Sequence, residues 1–206
     1  MMIDEMLEMP ATAEPQVHAL LRRRWSPRAF AERPVAPAQL RSVLEAARWA
    51  PSAANQQPWS FVVATREDGP AHERMLGILM EGNVRWARRA PALILVVAQL
   101  YSDRDGRPSQ RSLYDVGLAV ANLTTQATAL CLVVHQMGGF YADKARAEFA
   151  MPDGYEPVAV LALGYLGDPE TLPDDLRRRE TAVRTRKPLE EFVFSGRWGQ
   201  SSPLAA

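Results

Sequence analysis

The sequence predicts a protein that mixes helices and strands, because four apolar strand patterns are separated by helical patterns. The strand patterns lie at residues 59–65, 92–98, 131–137 and 157–166. The second of them lacks alternation between polar and apolar residues, which is typical of a strand covered on both faces. The longest helical pattern runs from residue 111 to 130 and has apolar and small side chains on several sides. It predicts a central helix that is buried inside the subunit, between subunits, or both.

The composition is that of an ordinary soluble globular protein. The chain has 206 residues, of which 47% are hydrophobic and 23% charged, which is enough for one sizeable core or two small ones. Lys+Arg and Asp+Glu both number 24, so the zero net charge argues against bulk binding to nucleic acid or anionic membrane. No signal peptide is recognisable, and no apolar run approaches the roughly 20 residues of a spanning helix.

The single cysteine and the three histidines argue against a disulfide and against a metal site. Cys131 is the only cysteine, so no intrachain disulfide can form, which indicates an intracellular protein. Together with only three scattered histidines, it argues against a dedicated His/Cys metal site. We therefore predict no metal.

Residues 24–30, which we call the arginine segment, follow a short helical pattern that Pro27 does not allow to continue. Arg24, Ser26 and Arg28 alternate along it, and an extended backbone would point all three to one side. Two guanidinium groups and a hydroxyl on one side suit a phosphate or a polarised carbonyl. The alternative is a solvated basic face.

Residues 50–59, which we call the neutral loop, lie between the helical pattern of residues 40–48 and the first strand. Pro51 and Pro58 stiffen its ends, and Pro58 favours an extended conformation for Gln57. Its neutral polar side chains are Ser52, Asn55, Gln56 and Gln57. Such a loop suits a ligand with several donors and acceptors, for example a heteroaromatic ring with a polyol. The alternative is an ordinary capped turn.

The second half of the chain adds a glycine pair and another basic segment. Gly138 and Gly139 end the third strand, where backbone N–H groups could approach a flat ligand, with a simple turn as the alternative. Arg184 and Arg186 repeat the alternation of the arginine segment. Residues 191–194 predict an isolated strand-like piece that must pack on the main body or on a partner chain.

The common catalytic motifs are absent from the sequence. There is no GxGxxG after a strand, no P-loop, no GxSxG, no HExxH and no CxxC. No catalytic side chain is therefore predicted, and the chemistry of an enzyme built this way would belong to a bound organic cofactor.

These segments together resemble the nitroreductase family of FMN-dependent oxidoreductases. The resemblance covers most of residues 16–199 in the order that the family has. The pieces that carry it are Arg24-x-Ser26-x-Arg28-x-Phe30, the run AARWAPSAANQQPW at 46–59, Gly82-Asn83, Asp115-x-Gly117, Gly139-Phe140, the strand residues 158–164 and Arg184-x-Arg186-Lys187-Pro188-Leu189.

The resemblance implies an α+β fold with a central, mostly antiparallel sheet wrapped by helices. It also implies an intertwined homodimer with the long central helix at its interface. We expect a flexible arm at residues 1–14, a single FMN-binding domain at 15–190 and a C-terminal extension at 191–206 that packs on the partner subunit. A cytoplasmic location and no nucleic-acid or membrane partner are expected.

By the same resemblance, two FMN molecules lie at the dimer interface. Arg24, Arg184 and Arg186 would hold the phosphate, and Ser26 would lie near the phosphate and the ribityl chain. Trp25 belongs to the same binding segment.

The remaining implied contacts concern the flavin ring. Arg28 would lie near its pyrimidine edge, and Asn83 would contact the ring edge. The backbone at Gly138 and Gly139 would face the reactive N5 region. The residues expected from the other subunit are Pro51, Ser52, Ala53 and Asn55.

The implied activity is reduction of nitroaromatics, quinones or similar electron-poor acceptors with NADH or NADPH. Hydride transfer at flavin N5 and a ping-pong cycle belong to that expectation. The alternatives are another reaction on the same fold, namely reductive dehalogenation, enone reduction or flavin destruction, and a flavin-binding protein without turnover.

Three positions depart from the family pattern. Many relatives carry a second basic residue soon after the position of Asn83, where this chain has Trp86, with Arg85 and Arg88 as possible substitutes. Cys131 stands where glycine is frequent, and we interpret it as a core residue. Gly138 stands where some nitroreductases have glutamate.

Overall fold

The computed structural model describes residues 17–205 and has a four-stranded sheet in which every neighbouring pair is antiparallel. The strands are β1 (Trp59–Thr65), β2 (Ala92–Gln99), β3 (Val133–Met137) and β4 (Tyr155–Gly164). Their order across the sheet is β1-β2-β4-β3, so β1 and β3 are its two edges. This arrangement confirms the predicted α+β class. The arm predicted at residues 1–14 lies outside the described residues.

Seven α-helices surround the sheet within residues 17–205. They are α1 (Ala19–Arg23), α2 (Pro37–Arg48), α3 (Gly69–Gly77), α4 (Glu81–Ala87), α5 (Ser112–Ala129), α6 (Ala142–Glu148) and α7 (Asp174–Glu180). Local signals set several of their starts: Pro37 occupies the first turn of α2, and the Asp68 carboxylate caps α3 by accepting the N–H of Ala71. None of the helices in this part of the chain is both long and apolar enough to cross a membrane.

Strand β2 is buried along nearly its whole length because the sheet is covered on both sides. Leu93 and Leu95 pack into a cluster with residues of α3 and α4, while Ile94 and Val96 pack into a second cluster with α2 and α5. Polar side chains on either face of β2 would lack partners, which explains why this strand shows no alternation. The interpretation of residues 92–98 is therefore confirmed.

Helix α5 buries one side and leaves the other side uncovered in the single chain. Val116 and Leu123 are fully buried against the sheet and α2. Leu113 and Tyr114, at the start of the same helix, are 54% and 71% exposed. Leu113 belongs to the apolar pattern that predicts a central helix, but it does not pack in the core of the chain.

The prediction of a strand-like piece at residues 191–194 is wrong. The chain forms a short 3₁₀ turn at Leu189–Glu191, in which the N–H of Val193 donates to the carbonyl of Leu189. It then reverses, so that Phe194 makes a single bridge with Ser201. Gly196 and Gly199 allow this reversal because both have positive φ, at 76° and 82°.

Cys131 does not begin a strand, and it is half-buried rather than a core residue. It has a φ of 57° immediately after Leu130, the C-cap of α5. Its N–H donates to the carbonyl of Thr128 at 3.1 Å, and the N–H of Leu132 donates to the carbonyl of Ala127 at 2.8 Å. This is the Schellman pattern, whose left-handed position favours glycine. The pattern explains why the family that the sequence resembles frequently has glycine at the position of Cys131.

Candidate functional site

The two basic segments that are far apart in the sequence lie side by side in the structure. The guanidinium of Arg184 donates to the carbonyls of Arg24 and Arg22, at 2.9 and 2.8 Å. The pKa of Arg24 is lowered, first by burial and then by the nearby charges of Arg186 and Arg184. Three guanidinium groups therefore share one small region, and their mutual repulsion would be relieved by a bound anion.

Two of the three side chains predicted to share one side of the arginine segment, those of Arg24 and Ser26, are in contact. A guanidinium nitrogen of Arg24 donates to the hydroxyl oxygen of Ser26 at 3.2 Å, so these two side chains lie on the same side. Trp25, between them, is buried. Because Ser26 accepts this bond, its own hydroxyl hydrogen remains available to a ligand oxygen.

Glu180, the last residue of α7, holds the far end of the arginine segment. Its carboxylate accepts the backbone N–H of Arg28 at 2.8 and 2.9 Å and that of Ala29 at 2.8 Å. The Arg28 guanidinium lies 3.9 Å from the same carboxylate. Burial raises the pKa of Glu180, while the two backbone N–H groups and Arg28 act in the opposite direction.

His135, on β3, supports the middle of the same segment. Its Nδ1 lies 2.9 Å from the carbonyl oxygen of Pro27, so Nδ1 carries the hydrogen and donates it. Its ring lies 4.5 Å from that of Trp86. The pKa of His135 is lowered to about 4, first by burial and also by the charge of Arg28, while the bond to the Pro27 carbonyl opposes the shift. The imidazole is therefore neutral at neutral pH.

The sequence analysis did not identify Glu180 or His135. Glu180 follows three consecutive arginines, Arg177 to Arg179, and such a charged run is normally solvated. His135 sits in an apolar strand pattern, where a lone histidine gives no signal of its own. Both act by accepting or donating hydrogen bonds to a backbone more than a hundred residues away, which no local pattern reveals.

Asn83 and Gly139 form a second predicted part of the site. The Asn83 carboxamide donates to the carbonyl of Gly139 at 2.9 Å, and the N–H of Met80 donates to the same oxygen at 3.0 Å. A Cβ on residue 139 would lie 2.8 Å from the Asn83 nitrogen, so only glycine fits without displacing Asn83. A Cβ on Gly138 would meet nothing within 4 Å, so the space beside that residue is open.

Trp86, Arg85 and Arg88 are the residues near Asn83 that were considered for the place of a second basic residue, and the structure shows the contacts of each. Trp86 is 1% exposed and stacks on Phe30, so it is a core residue. Arg85 makes a two-pronged ion pair with Asp175 of α7, at 3.0 and 3.1 Å. Arg88 is exposed, and its Nε donates to the carbonyl of Val84.

The neutral loop is held in an unusual conformation by two anchors. The N–H of Ala53 donates to the buried Asp115 carboxylate of α5 at 3.0 Å. The Ser52 hydroxyl accepts the N–H of Gln57 at 3.0 Å. Three non-glycine residues of the loop, Ala54, Asn55 and Gln57, have left-handed φ values of 52°, 56° and 51°. The extended conformation expected for Gln57 is therefore wrong, because the bond to Ser52 outweighs the local preference set by Pro58.

The neutral loop and the arginine segment lie at opposite edges of the sheet. The loop leads into β1, one edge, and the arginine segment is supported by His135 of β3, the other edge. Pro51 and Asn55 are exposed at the surface of the subunit.

The chain is similar to several known proteins. The model of the family described as "Nitroreductase family" matches residues 21–165. An uncharacterized protein of Mycolicibacterium smegmatis is 41% identical over 125 residues, which are 61% of this chain and 82% of that protein. A protein of Xanthomonas oryzae pv. oryzae, provisionally named NADH dehydrogenase/NAD(P)H nitroreductase, is 31% identical over 163 residues, which are 70% of this chain and 81% of that protein.

Among solved structures, one described as an oxidoreductase containing FMN superposes on nearly the whole chain. The two share 38% sequence identity with a TM-score of 0.87, and the match covers 93% of this chain and 97% of the other.

Proposed function

The chain belongs to the nitroreductase family, and we propose that it is an FMN-dependent oxidoreductase that takes electrons from NADH or NADPH. The similar solved structure described as containing FMN supports the cofactor. The name of the Xanthomonas relative supports the nicotinamide donor. Nitroaromatics, quinones and similar electron-poor compounds are the proposed acceptors. A cytoplasmic location is part of the same proposal, because the protein needs access to NADH or NADPH.

The observation that carries the proposal is that Arg184 bonds to the backbone of Arg24, which brings the second basic segment beside Arg24 and Ser26. FMN phosphate has close to two negative charges at neutral pH, and guanidinium forks match its oxygens in pairs. Burial, and then the charges of Arg186 and Arg184, lower the pKa of Arg24, and a bound anion would offset this unfavourable environment of the cation. Ser26 offers its hydroxyl hydrogen to the same anion.

The residues at the other end of the proposed site fit the flavin ring. Arg28 places a cation at the pyrimidine edge, where negative charge develops when the flavin is reduced. Asn83 and Gly139 hold each other, so the ring edge and the N5 region meet a fixed carboxamide and an unhindered backbone. Gly138 leaves the space next to N5 open.

FMN, when bound, supplies the redox chemistry, with hydride transfer from NAD(P)H at N5 and a ping-pong exchange with the acceptor. The residues of the chain bind and orient. Arg24, Arg184 and Arg186 would hold the phosphate with Ser26 near it, Arg28 would hold the pyrimidine edge, and Asn83 would hold the ring edge. No side chain of the chain is assigned to proton transfer.

We propose further that the protein is a homodimer and that each flavin contacts both subunits. The start of α5 supports this, because the adjacent Leu113 and Tyr114 are both exposed there, and contiguous exposed apolar surface marks interaction sites. The C-terminal extension at 191–206 is proposed to pack on the partner, and its Phe192 and Trp198 are 56% and 93% exposed in the single chain. The neutral loop, at the opposite edge from the arginine segment, then reaches the flavin of the partner subunit.

An anaerobic half-reaction tests the proposed function. Purified protein reconstituted with FMN should be yellow, and either NADH or NADPH should bleach the visible flavin absorbance. The reduced protein is then mixed with nitroaromatics, quinones, halophenols and oxygen in separate experiments, and the reoxidation rate is recorded for each.

Each possible result has a definite meaning. Faster reoxidation by nitroaromatics or quinones than by oxygen supports the proposed reductase. A yellow protein that neither nicotinamide bleaches contradicts the electron donor and favours a flavin-binding protein. A protein that does not retain FMN contradicts the cofactor itself.

A further inference from the structure

We propose that Glu180 is a positioning residue for FMN, which it serves by holding the arginine segment in its binding conformation. This inference rests on the proposed function, because it concerns the residues assigned to the phosphate and the pyrimidine edge. Glu180 itself does not contact the ligand in this proposal. It acts through the backbone of Arg28 and Ala29.

The arginine segment is irregular backbone, so its polar groups need partners from elsewhere in the fold. It lies between the end of α1 and the isolated bridge of Phe30 with Leu166. Buried backbone N–H and C=O groups are almost always paired, since leaving one without a partner is costly. The partners of this segment therefore decide its shape.

Those partners come mainly from two side chains of the C-terminal half. Arg184 donates to the carbonyls of Arg22 and Arg24, which fixes the beginning of the segment. Glu180, four positions earlier, accepts the N–H groups of Arg28 and Ala29, which fixes its end. The cation Arg184 therefore binds carbonyl groups at the beginning of the segment, and the anion Glu180 binds N–H groups at its end. Both side chains belong to one short stretch of the sequence. His135 holds the centre through the carbonyl of Pro27.

The carboxylate of Glu180 is suited to this task in a way that no neutral side chain is. Its two oxygens accept three hydrogen bonds from the segment, and the Arg28 guanidinium lies 3.9 Å away. The side chain has no exposed surface, so water cannot substitute for it. Glutamine has the same shape but would direct an N–H₂ group at one of these donors, which loses at least one bond and the charge.

This arrangement couples α7 to the FMN site. Loss of the Glu180 contacts would free Arg28 and Ala29 to move, and Arg24 and Ser26 belong to the same short segment. The loss should be larger for ligands that carry the phosphate than for ligands without it, because Arg24 and Ser26 are the residues assigned to the phosphate. That difference separates a positioning role from a merely structural one.

The test compares the binding of FMN and riboflavin to the wild-type protein and to Glu180→Gln. Dissociation constants are measured by quenching of flavin fluorescence well below the unfolding temperature. We expect Glu180→Gln to weaken FMN binding about tenfold, the lower end for loss of a hydrogen bond to a charged group. Riboflavin binding should also weaken, because Arg28 is assigned to the pyrimidine edge that both ligands share, but it should weaken by a smaller factor. The preference for FMN over riboflavin should therefore fall.

Asp175→Asn is the matched control. Asp175 lies on the same helix and makes an ion pair with Arg85 of α4, and it does not bond to the arginine segment. The substitution removes the same charge from an exposed ion pair, which contributes little to the stability of α7. It should leave both dissociation constants unchanged.

The outcomes distinguish this proposal from the proposed function. If the wild-type protein does not bind FMN, both fail. If the wild-type protein binds FMN and Glu180→Gln binds it equally well, or loses FMN and riboflavin in the same proportion, only the positioning role is overturned. An equal loss in Asp175→Asn also overturns it. Should Glu180→Gln not fold, Glu180→Asp, which keeps the charge but is shorter by one methylene, replaces it in the same measurement with the same criteria.

Discussion

The arginine segment and the neutral loop are both irregular, but they are stabilised in different ways. The arginine segment depends on side chains from distant parts of the chain, namely Arg184, Glu180 and His135. The neutral loop has two neutral or anionic side-chain partners outside itself, because Asp115 accepts the N–H of Ala53 and Ser102 accepts from the Gln56 carboxamide. Other bonds, such as the one from Gln57 to Ser52, lie within the loop.

The difference reflects what each region has to hold. A cluster of like charges repels itself, so its backbone must be fixed from outside. Neutral hydroxyl and amide groups have no such repulsion, and a short loop can order them through its own turns. The loop instead holds strain in its left-handed residues, which cost on the order of 1–2 kcal/mol each when they are not glycine. Strain of this kind is kept where the surroundings over-determine the conformation.

The largest expected effect comes from removing a charge of the arginine segment. Arg24→Ala should raise the dissociation constant for FMN by roughly 10- to 100-fold, which corresponds to about 1.5–3 kcal/mol for a lost charge-assisted contact. Fluorescence quenching measures it. Arg41→Ala, at an exposed arginine of α2, is the control and should bind FMN like the wild-type protein. Equal affinity of Arg24→Ala and wild type would contradict the assignment of Arg24 to the phosphate.

Mixed dimers test whether the two regions serve one site from different subunits. Arg24→Ala and Asn55→Gly should each weaken FMN binding in their own homodimers, and glycine keeps the left-handed backbone at residue 55. If each site takes residue 24 from one subunit and residue 55 from the other, a mixed dimer contains one intact site. Half of the sites should then bind FMN as in the wild-type dimer. No recovery would place both residues in the same subunit's site.

Acid should weaken the support under the arginine segment. His135 has a pKa of about 4 in the folded protein, below its ordinary value near 6.5, so the unfolded chain binds more protons between these values. The free energy of unfolding contributed by neutral His135 is therefore complete above pH 6.5 and is lost as the pH falls toward 4. Denaturant unfolding at several pH values measures this loss.

The comparison with His135→Gln isolates the histidine. Glutamine can still donate to the Pro27 carbonyl but does not titrate. The raised pKa of Glu180 acts with the opposite sign, since it makes stability fall as pH rises. Both proteins contain Glu180, so subtracting the pH profile of His135→Gln from that of the wild-type protein removes the contribution of Glu180. A difference that stays constant from pH 7 to pH 4 would contradict the role of His135.

Loss of the anchor of the neutral loop should have a smaller effect. Asp115→Ala removes the acceptor of the Ala53 N–H and should lower the free energy of unfolding by about 1–2 kcal/mol. Urea denaturation measures it. Asp143→Ala is the control, because Asp143 is also in the first turn of its helix and tests the helix-dipole contribution alone. Equal destabilisation by the two substitutions would show that the Ala53 contact contributes nothing.

The smallest expected effect comes from relieving a left-handed φ, either inside the neutral loop or at the end of α5. Ala54→Gly and Cys131→Gly each relieve a left-handed φ, of 52° and 57°, and glycine offsets part of that gain through its own entropy. Each should raise the free energy of unfolding by no more than about 1 kcal/mol. Only Ala54→Gly should also weaken FMN binding, because it loosens the neutral loop. A loss of FMN affinity in Cys131→Gly would contradict this division.

The sequence by itself determined most of the elements and the polar side chains of the proposed site. Unbroken apolar residues predict β2, since both of its faces are covered, and the alternation of Arg24 with Ser26 predicts a shared side. Prolines and capping residues set helix ends through short-range bonds that a sequence pattern can express.

Only the tertiary structure decided what holds those side chains in place. Glu180 and His135 bond to the arginine segment across more than a hundred positions of the chain, and no periodicity relates residues so far apart. The left-handed conformation of Gln57 likewise follows from its bond to Ser52 and not from the preference set by Pro58. A hydrogen bond to buried irregular backbone depends on which elements pack together, and that is a property of the whole fold.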